Sequence, residues 1–471
     1  MKQEKQTVLE DITSNLVLAV LSNTNMELAT KISDRVFGVK GYDLSDRFME
    51  PRQFTVGEYC PKFILPNDTT DTIKNLAGKQ VYILLIPDPS ESPEMLIKRA
   101  EMTAAAAKQN NADKVVLLAT DLPHARQDRG PDEDEKAFGE LNTVRLHARL
   151  FEAAGIDKVI TTHEHSPRLS AMFGLEYGLI NPEMLSESSP AKKIREIQFP
   201  TDFDPKDEVF QKIGRKVFES ISPHAILADY LLYHSSLTET KHLQDKGNGI
   251  VLKAMDKGNG PFIDQLQKAL FLENCSVLYC NKSRKAKNDP TKLEVSIYKN
   301  SPNFTTLDGK IEILADDGLD TGGTMLAAVR WSNNGNICVD TKKSYGTPVN
   351  RLVYFTHAWL GGQSHQIIQR TIYSDLPAQE FITTNTRPYI GNDQHHRFKE
   401  KSTVLRFAGL WADAILANEL KIPLVERYSG FNSAEEQHEF LKHLYILKRH
   451  SAHFMVDGHS TDKKDILFYR R

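Results

Sequence analysis

The chain has 471 residues, enough for two or three domains of about 150 residues each. Charged residues make up 26% and hydrophobic residues 40%, and the net charge is -3, so a small disulfide-stapled scaffold and a strongly basic nucleic-acid binder are both disfavoured. The apolar runs are far shorter than the ~20 residues of a membrane-spanning helix, and the first residues do not resemble a secretory signal. We therefore expect a cytoplasmic protein that binds neither membranes nor nucleic acid.

Short apolar runs alternate with helical stretches along the first part of the chain, which is typical of strand–helix–strand units around a parallel sheet. The pattern predicts a helix that begins after the capping residues 22–25 and ends near Val36. The strands predicted here are 16–21, 81–86, 115–119 and 159–162, and the further helices are 93–108 and 140–154.

A polar stretch at 182–212, rich in Ser, Pro, Lys and Glu, indicates an insertion or linker, after which the alternation resumes. The second part is predicted to contain a helix at 261–271, a helix at 405–420 and an amphipathic helix at 433–448. Its predicted strands are 249–254, 276–280, 311–315, 351–355 and 380–383. The fold class is therefore α/β, with mostly parallel sheets flanked by helices.

The segment 311–325 runs from an apolar strand through acids and glycines into a helix, the pattern of a phosphate site. Gly322 and Gly323 leave backbone N–H groups accessible, and Thr321 and Thr324 add hydroxyl donors. Asp316 and the acid next to it would repel a phosphate, so we expect them to accept hydrogen bonds from sugar hydroxyls. A Gly-rich turn with an ordinary helix cap is the simpler alternative, but the density of fixed positions favours a sugar-phosphate site.

This motif resembles the phosphoribosyl diphosphate (PRPP) site of the type I phosphoribosyltransferase fold. Further segments resemble the ribose-phosphate pyrophosphokinase (PRPP synthase) family and occur in the order found there. They are the loops Phe-Thr-Val-Gly-Glu at 54–58, Ala-Arg-Gln-Asp-Arg at 125–129, Thr-His-Glu-His-Ser at 162–166, Asp-Lys-Gly-Asn-Gly at 256–260 and Asn-Lys-Ser-Arg at 281–284. Val56 stands where the family has an acid that could contact the adenine amino group, which leaves the choice of nucleotide open.

The resemblance implies two tandem phosphoribosyltransferase-like domains. These would be 1–181 and 213–400, joined by the insertion 182–212 and followed by a helix, 401–423, that returns to the N-terminal domain and by an extension, 424–471. It also implies that the diphosphoryl group of ATP is transferred to the anomeric hydroxyl of ribose 5-phosphate with Mg²⁺, giving PRPP and AMP. A homo-oligomer is expected, because in the family the Phe-containing loop reaches a neighbouring subunit.

The family's site residues map onto matching positions of this sequence. Catalysis is assigned to Lys282, Arg284 and Arg126. Ribose 5-phosphate would be bound by Asp316, Asp317, Asp320, Thr321, Gly322, Gly323 and Thr324, ATP by Phe54, Gly57, Glu58, Arg126 and Gln127, and the metal ion by His165 and Asp256.

Two other functions share parts of this pattern. A non-catalytic, PRPP synthase-associated regulatory subunit would keep the fold but not the chemistry, and a PRPP-consuming phosphoribosyltransferase shares the motif at 316–324. The basic residues Lys282 and Arg284 are retained, which favours catalysis over a regulatory role. The tandem domains and the loop at 125–129 favour synthesis over consumption of PRPP.

Overall fold

A computed structural model describes most of the chain in two compact units. The described residues are 12–21, 26–38, 50–63, 76–87, 91–129, 140–180, 204–238, 243–284, 293–336, 343–359, 380–387 and 402–449. The first unit comprises Met1–Ser222 and Trp411–Arg427, and the second comprises Pro223–Leu410 and Tyr428–Arg471. Among the described residues, no helix is both long and apolar enough to cross a membrane.

Strands and helices alternate through both units. The strands are β1 (Leu16–Val20), β2 (Glu50–Gln53), β3 (Tyr59–Lys62), β4 (Gln80–Leu85), β5 (Lys114–Ala119), β6 (Lys158–Thr162), β7 (Phe218–Ile221), β8 (Ile250–Ala254), β9 (Ser276–Arg284), β10 (Leu293–Asn300), β11 (Ile311–Leu319), β12 (Asn350–Ala358), β13 (Glu380–Thr384), β14 (Ser402–Arg406) and β15 (Ile446–Arg449). The helices are α1 (Met26–Phe37), α2 (Pro93–Gln109), α3 (Thr143–Ala153), α4 (Arg168–Glu176), α5 (Glu208–Gly214), α6 (His224–Tyr233), α7 (Gln244–Gly247), α8 (Gly260–Leu270), α9 (Gly323–Asn333), α10 (Ala408–Glu419), α11 (Leu424–Arg427) and α12 (Ala434–Leu441).

The first unit contains a five-stranded sheet in the order β1-β4-β5-β6-β7, in which all neighbouring strands are parallel. Its strands are almost wholly buried, as expected of a parallel sheet with helices on both faces. Helices α2 and α3 begin at capping side chains: Ser92 Oγ accepts from Met95 N, and Asn142 Oδ1 accepts from Arg145 N. A hairpin, β2–β3, forms a separate two-stranded antiparallel sheet.

The segment Trp411–Arg427 packs within the first unit although it follows the second in sequence. Trp411 is buried, and its indole Nε1 donates a hydrogen bond to Thr162 Oγ1 at 2.8 Å, at the end of β6. Asn418 Nδ2 donates to the hydroxyl of Tyr82 on β4 at 2.6 Å. Both indole and phenol thereby bury a polar atom together with a hydrogen-bond partner.

The second unit contains an eight-stranded sheet in the order β10-β9-β8-β11-β12-β13-β14-β15. The six strands between the two edges are parallel, and the edge strands β10 and β15 are antiparallel to their neighbours. The buried residues of β11, α9, β12 and β13 form one apolar cluster. The predicted α/β architecture of parallel sheets flanked by helices is confirmed.

Every predicted strand has a counterpart, but the boundaries of two strands and two helices were wrong. β9 continues to Arg284 and β11 to Leu319, because each extension is paired with a neighbouring strand. The predicted helix 405–420 begins at Ala408, after a strand. The predicted helix 433–448 ends at Leu441, and Ile446–Arg449 instead pairs with β14 as an edge strand. Pairing with a sheet edge depends on residues distant in sequence, which helical periodicity does not register.

The junction of the two units differs from the position that the sequence suggests. Most of the predicted insertion, 182–212, lies outside the described residues. From residue 204 the chain packs in the first unit, where Phe210 and Ile213 of α5 contact buried Ala171 and Ile180. β7 then pairs with β6, so residues 218–221 complete the first sheet rather than begin the second unit.

Candidate active site

The carboxyl end of β11 carries the two adjacent acids of the motif. Residues 311–315 are buried, and Asp316 and Asp317 follow half-buried. The Oδ1 atom of Asp316 accepts a hydrogen bond from Asn259 Nδ2 at 2.7 Å and another from the backbone N–H of Asp317 at 3.0 Å. The same Asn259 Nδ2 donates to the carbonyl oxygen of Ala315 at 2.6 Å. The Asp316 carboxyl is therefore held in one orientation by the neighbouring loop.

This loop follows β8, the strand beside β11, and leads into α8. Asp256 begins it, and its Oδ1 accepts backbone hydrogen bonds from Gly258 at 3.0 Å and Asn259 at 3.2 Å. Because β8 and β11 are parallel, their carboxyl ends meet at the same edge of the sheet. That edge therefore brings together the acids Asp256, Asp316 and Asp317.

Burial raises the pKa of Asp316 well above its usual range, and the charges of Asp317 and Asp256 raise it further. The folded chain thus retains a proton that the unfolded chain has already released, so this group lowers stability as the pH rises. We expect Asp316→Asn to match the wild type in free energy of unfolding below about pH 4, the ordinary aspartate pKa, and to become the more stable protein as the pH rises through the raised value. Urea unfolding of both proteins across pH would measure the difference, and a difference independent of pH would contradict the expectation.

The turn after β11 prepares a helix N-terminus. Gly322 has φ 73°, a left-handed conformation that disfavours side chains, and caps α9. The first N–H groups of a helix have no acceptor within it and, with the helix dipole, favour an anion. Thr321 is exposed and Thr324 is half-buried beside these groups. The arrangement suits a phosphate monoester.

Residues at the carboxyl ends of the next two strands pack against one another and against Gly318 near the end of β11. Gly318 pairs with His357 of β12, and a Cβ on residue 318 would overlap the ring of Trp359. The rings of His357 and Trp359 stack with centroids 5.7 Å apart, and His357 Nδ1 lies 3.0 Å from Thr386 Oγ1 after β13. Glycine at 318 therefore allows close packing between the acidic strand end and the aromatic residues beside it.

A buried ion-pair network fixes α9 to the sheet. Lys253 Nζ of β8 donates to Glu312 Oε1 of β11 at 2.9 Å and to Ser332 Oγ of α9 at 2.6 Å. Arg351 Nε of β12 donates to Glu312 Oε2 at 2.7 Å, and its Nη2 donates to Asn333 Oδ1 at 3.1 Å. Burial would raise the pKa of Glu312, but the charges of Lys253 and Arg351 outweigh it and lower that pKa below the usual value. The network joins three strands to the helix that begins at the glycine turn.

The two basic residues proposed for catalysis are on β9. Lys282 pairs with Val295 of β10 and Arg284 with Leu293, so both belong to the strand and not to a loop beyond it, as the sequence had suggested. β9 lies next to β8 and parallel to it. The backbone at 282–284 therefore reaches the sheet edge that carries Asp256 and Asp316.

In the first unit, residues 54–58 form the tip of the β2–β3 hairpin. Phe54 N donates to the carbonyl of Glu58, and Gly57 N donates to the carbonyl of Phe54, both at 2.8 Å. Gly57 has φ 92°, which suits glycine in so tight a turn. The Phe54 side chain is 48% exposed, so a large aromatic ring at the tip is available for contact.

The loop 125–129 follows β5 and has both exposed and buried side chains. Arg126, Gln127 and Arg129 are exposed, whereas Asp128 is buried and its Oδ2 lies 3.7 Å from Arg168 Nη1 of α4. The backbone N–H of Val144 donates to the carbonyl of Gln127 at 3.3 Å. The buried aspartate thus anchors a loop whose basic residues face solvent.

His165 follows β6, the strand next to β5. β6 ends at Thr162, His163 adopts a left-handed φ of 49°, and His165 is exposed after this turn. Since β5 and β6 are parallel, the loops carrying Arg126 and His165 leave the same edge of the first sheet.

Comparisons with known proteins agree with this geometry. A family model described as "Phosphoribosyl transferase domain" matches residues 235–341, which include the turn at 316–324. Ribose-phosphate pyrophosphokinase 4 of Saccharomyces cerevisiae is 26% identical over 196 residues, 41% of this chain and 52% of that protein. The ribose-phosphate pyrophosphokinase of a Marinomonas species is 20% identical over 377 residues, 79% of this chain and 87% of that protein.

Two further comparisons cover very different shares of the chain. An orotidine 5'-phosphate decarboxylase of Rhodopseudomonas palustris is 25% identical over 121 residues, 26% of this chain and 51% of that protein. The chain thus spans about half the length of the first curated relatives it matches. The crystal structure of a phosphoribosylpyrophosphate synthetase from Mycobacterium smegmatis superposes with a TM-score of 0.57 at 19% identity, covering 86% of this chain and 99% of that one, and shows the fold.

The chain is similar to the ribose-phosphate pyrophosphokinases at low sequence identity. Its second unit brings the acids, the glycine turn and the backbone of the basic pair to one sheet edge. The first unit brings the loops of Arg126 and His165 to one edge of its own sheet and places Phe54 at a hairpin tip.

The sequence did not reveal every residue that shapes this site. Asn259 lay in a loop recognised by resemblance, but its bond to Asp316 was not foreseen. Lys253 and Glu312 were read only as strand positions, although a charged residue inside an apolar run is a signal of a buried partner. Gly318 lies on β11 and Trp359 directly follows β12, so their contact depends on the pairing of these two strands.

Proposed function

We propose that the protein is a ribose-phosphate diphosphokinase, which makes PRPP and AMP from ATP and ribose 5-phosphate. The observation that carries this proposal is the acidic end of β11 running directly into the left-handed glycine turn and the N-terminus of α9. Such a site offers hydroxyl acceptors beside phosphate donors, as a sugar phosphate requires. The named pyrophosphokinase relatives support the same reaction class.

In this proposal the second unit binds ribose 5-phosphate. The carboxyl oxygens of Asp316, Asp317 and Asp320 accept hydrogen bonds from the ribose hydroxyls. The phosphate group occupies the turn 321–324, where the hydroxyls of Thr321 and Thr324 and the N–H groups around Gly322 and Gly323 donate to its oxygens.

The transfer step needs alignment and positive charge rather than a covalent enzyme intermediate. The anomeric oxygen of ribose 5-phosphate attacks the β-phosphorus of ATP, a new P–O bond forms, the bond from that phosphorus to the α,β-bridging oxygen breaks, and AMP leaves with the bonding electrons. The hydroxyl proton passes to solvent. Lys282 and Arg284 of the second unit are proposed to stabilise the charge that develops on the transferring diphosphoryl oxygens. Arg126 of the first unit is proposed as a further catalytic residue.

ATP is assigned to residues of the first unit. Phe54 would stack against the base, and the hairpin tip with Gly57 and Glu58 would hold the nucleoside. Arg126 and Gln127 are exposed on a loop anchored by Asp128, a suitable base for a group that contacts nucleotide phosphates. Because the exposed Phe54 could contact another subunit, we propose that the protein is a homo-oligomer. We also propose that it is located in the cytoplasm.

Magnesium fits the donors present at the second sheet. Mg²⁺ prefers oxygen ligands, and the raised pKa of Asp316, caused by burial and by the charges of Asp317 and Asp256, marks a place where a cation would relieve repulsion. Asp256 is proposed to hold Mg²⁺ in the second unit. His165 is proposed, separately, as a metal ligand in the first unit. When bound, the ion would neutralise negative charge on the ATP phosphates.

The reaction itself is the test of this proposal. Purified full chain incubated with ATP, ribose 5-phosphate and Mg²⁺ is expected to release AMP and form PRPP in equal amounts, measured by ion-exchange chromatography. Omitting ribose 5-phosphate is the control, and AMP should then not accumulate. Sugar-independent AMP, or no AMP at all, would contradict the proposal, and the second result would favour a regulatory subunit. Consumption of added PRPP with a free base would favour a phosphoribosyltransferase.

A further inference from the structure

A cluster of metal-binding side chain types lies in the second unit, outside the proposed active site. It consists of Asp229 on α6, His234 just after α6 and His438 on α12. Each side chain offers one ligand atom, and these atoms all lie within 4.8 Å of one another. Two imidazoles and a carboxylate converging in this way form a donor set used for transition-metal ions.

The carboxylate of this cluster is fully buried. The Asp229 side chain has 0% exposure, and its Oδ1 lies 2.9 Å from His438 Nδ1 while its Oδ2 accepts a hydrogen bond from the Tyr445 hydroxyl at 2.5 Å. Among the described residues, no lysine or arginine forms an ion pair with it. A buried carboxylate whose partners are a phenol and an imidazole is costly unless a positive charge balances it.

Aromatic packing fixes the two imidazoles. The ring of His438 stacks on Tyr233 with centroids 4.1 Å apart. The ring of His234 lies 5.8 Å from that of His438 and meets Tyr445 edge-on at 6.2 Å. His234 and His438 are only partly buried, so an ion could enter from the solvent side of the cluster. Ligands whose orientation is fixed in advance lose little entropy when they bind a metal.

We propose that Asp229, His234 and His438 bind a zinc-class divalent transition-metal ion, with water completing the coordination. Two nitrogen ligands favour zinc over Mg²⁺ or Ca²⁺, which prefer oxygen. The Tyr445 hydroxyl donates to Asp229 Oδ2 and would thereby keep the carboxylate oriented toward the ion. The ion would connect α6 to the segment after residue 428, so its role is to stabilise this part of the second unit, independently of the proposed reaction.

Zinc retention by the purified full chain tests the site. The chain, freed of metal with a chelator, is incubated with ZnCl₂, desalted and analysed by mass spectrometry for metal content. We expect one zinc ion per chain, no comparable retention of Mg²⁺, and a thermal midpoint raised by roughly 5 °C with zinc well above its dissociation constant. Wild-type protein that retains no zinc and shows no shift would overturn the proposal and leave an ordinary His–Asp hydrogen bond.

Matched variants locate the ion. His438→Gln should abolish zinc retention and the thermal shift. His443→Gln, which changes an exposed histidine shortly after the end of α12, should leave both unchanged. His234→Gln provides a second ligand variant in case His438→Gln does not fold, with circular dichroism as the check on folding. Cobalt(II) should produce visible ligand-field bands in the wild type and His443→Gln but not in the ligand variants. Zinc retained equally by all the variants would place it elsewhere and overturn the proposal.

Discussion

Replacing Lys282 with alanine should reduce turnover in the PRPP-forming reaction by about 1,000-fold. The lysine lies on β9 at the sheet edge that carries Asp256 and Asp316, and its charge is proposed to stabilise the diphosphoryl group during transfer. Since that charge develops mainly in the transition state, kcat should fall while the dissociation constant for ribose 5-phosphate changes little. Steady-state kinetics and isothermal titration with ribose 5-phosphate would measure the two effects separately.

Lys299→Ala is the matched control for this experiment. Lys299 is an exposed lysine on the neighbouring strand β10, where its Nζ lies 4.8 Å from the ring of Tyr279. Lys299→Ala changes the net charge by the same amount as Lys282→Ala but lies outside the proposed site. Turnover should therefore stay near that of the wild type. If Lys282→Ala kept wild-type turnover, or lost sugar binding in proportion to rate, Lys282 would have no part in stabilising the transition state.

Replacing Glu312 with glutamine should destabilise the second unit by about 3–5 kcal/mol. The carboxylate is fully buried between Lys253 and Arg351, which are themselves 0% and 2% exposed. Without its charge, two buried cations would face each other across a neutral amide. Urea unfolding followed by tryptophan fluorescence would detect the loss, because the Trp331 ring lies 4.6 Å from Lys253 Nζ.

Glu439→Gln supplies the comparison for Glu312→Gln. Glu439 is an exposed acid on α12 that pairs with Lys442 three residues later. An exposed pair of this kind contributes little, so the unfolding curve should not move measurably. A Glu312 variant as stable as the Glu439 variant would show that the buried network does not support α9.

Much of the candidate site could be predicted from local sequence. An apolar run followed by Asp316, Asp317 and a double glycine specifies a strand, a turn and a helix N-terminus, because each feature depends on neighbours only a few residues away. The parallel α/β architecture followed from the same alternation. The order of the family motifs added the reaction class, which periodicity alone could not supply.

Other features required the fold. The bond between Asn259 and Asp316 joins the loop after β8 to β11, and the pair His438–Asp229 joins residues 209 positions apart in the chain. The strand at 446–449 forms because β14 offers an unpaired edge, although the preceding residues are helical. Local sequence therefore determined the glycine turn after β11 and the strand–helix alternation, since short-range periodicity and backbone conformation suffice for both. Tertiary structure alone decided which distant side chains share a buried, weakly solvated environment, and with them the ion-pair network, the raised pKa of Asp316 and the cluster on α6 and α12.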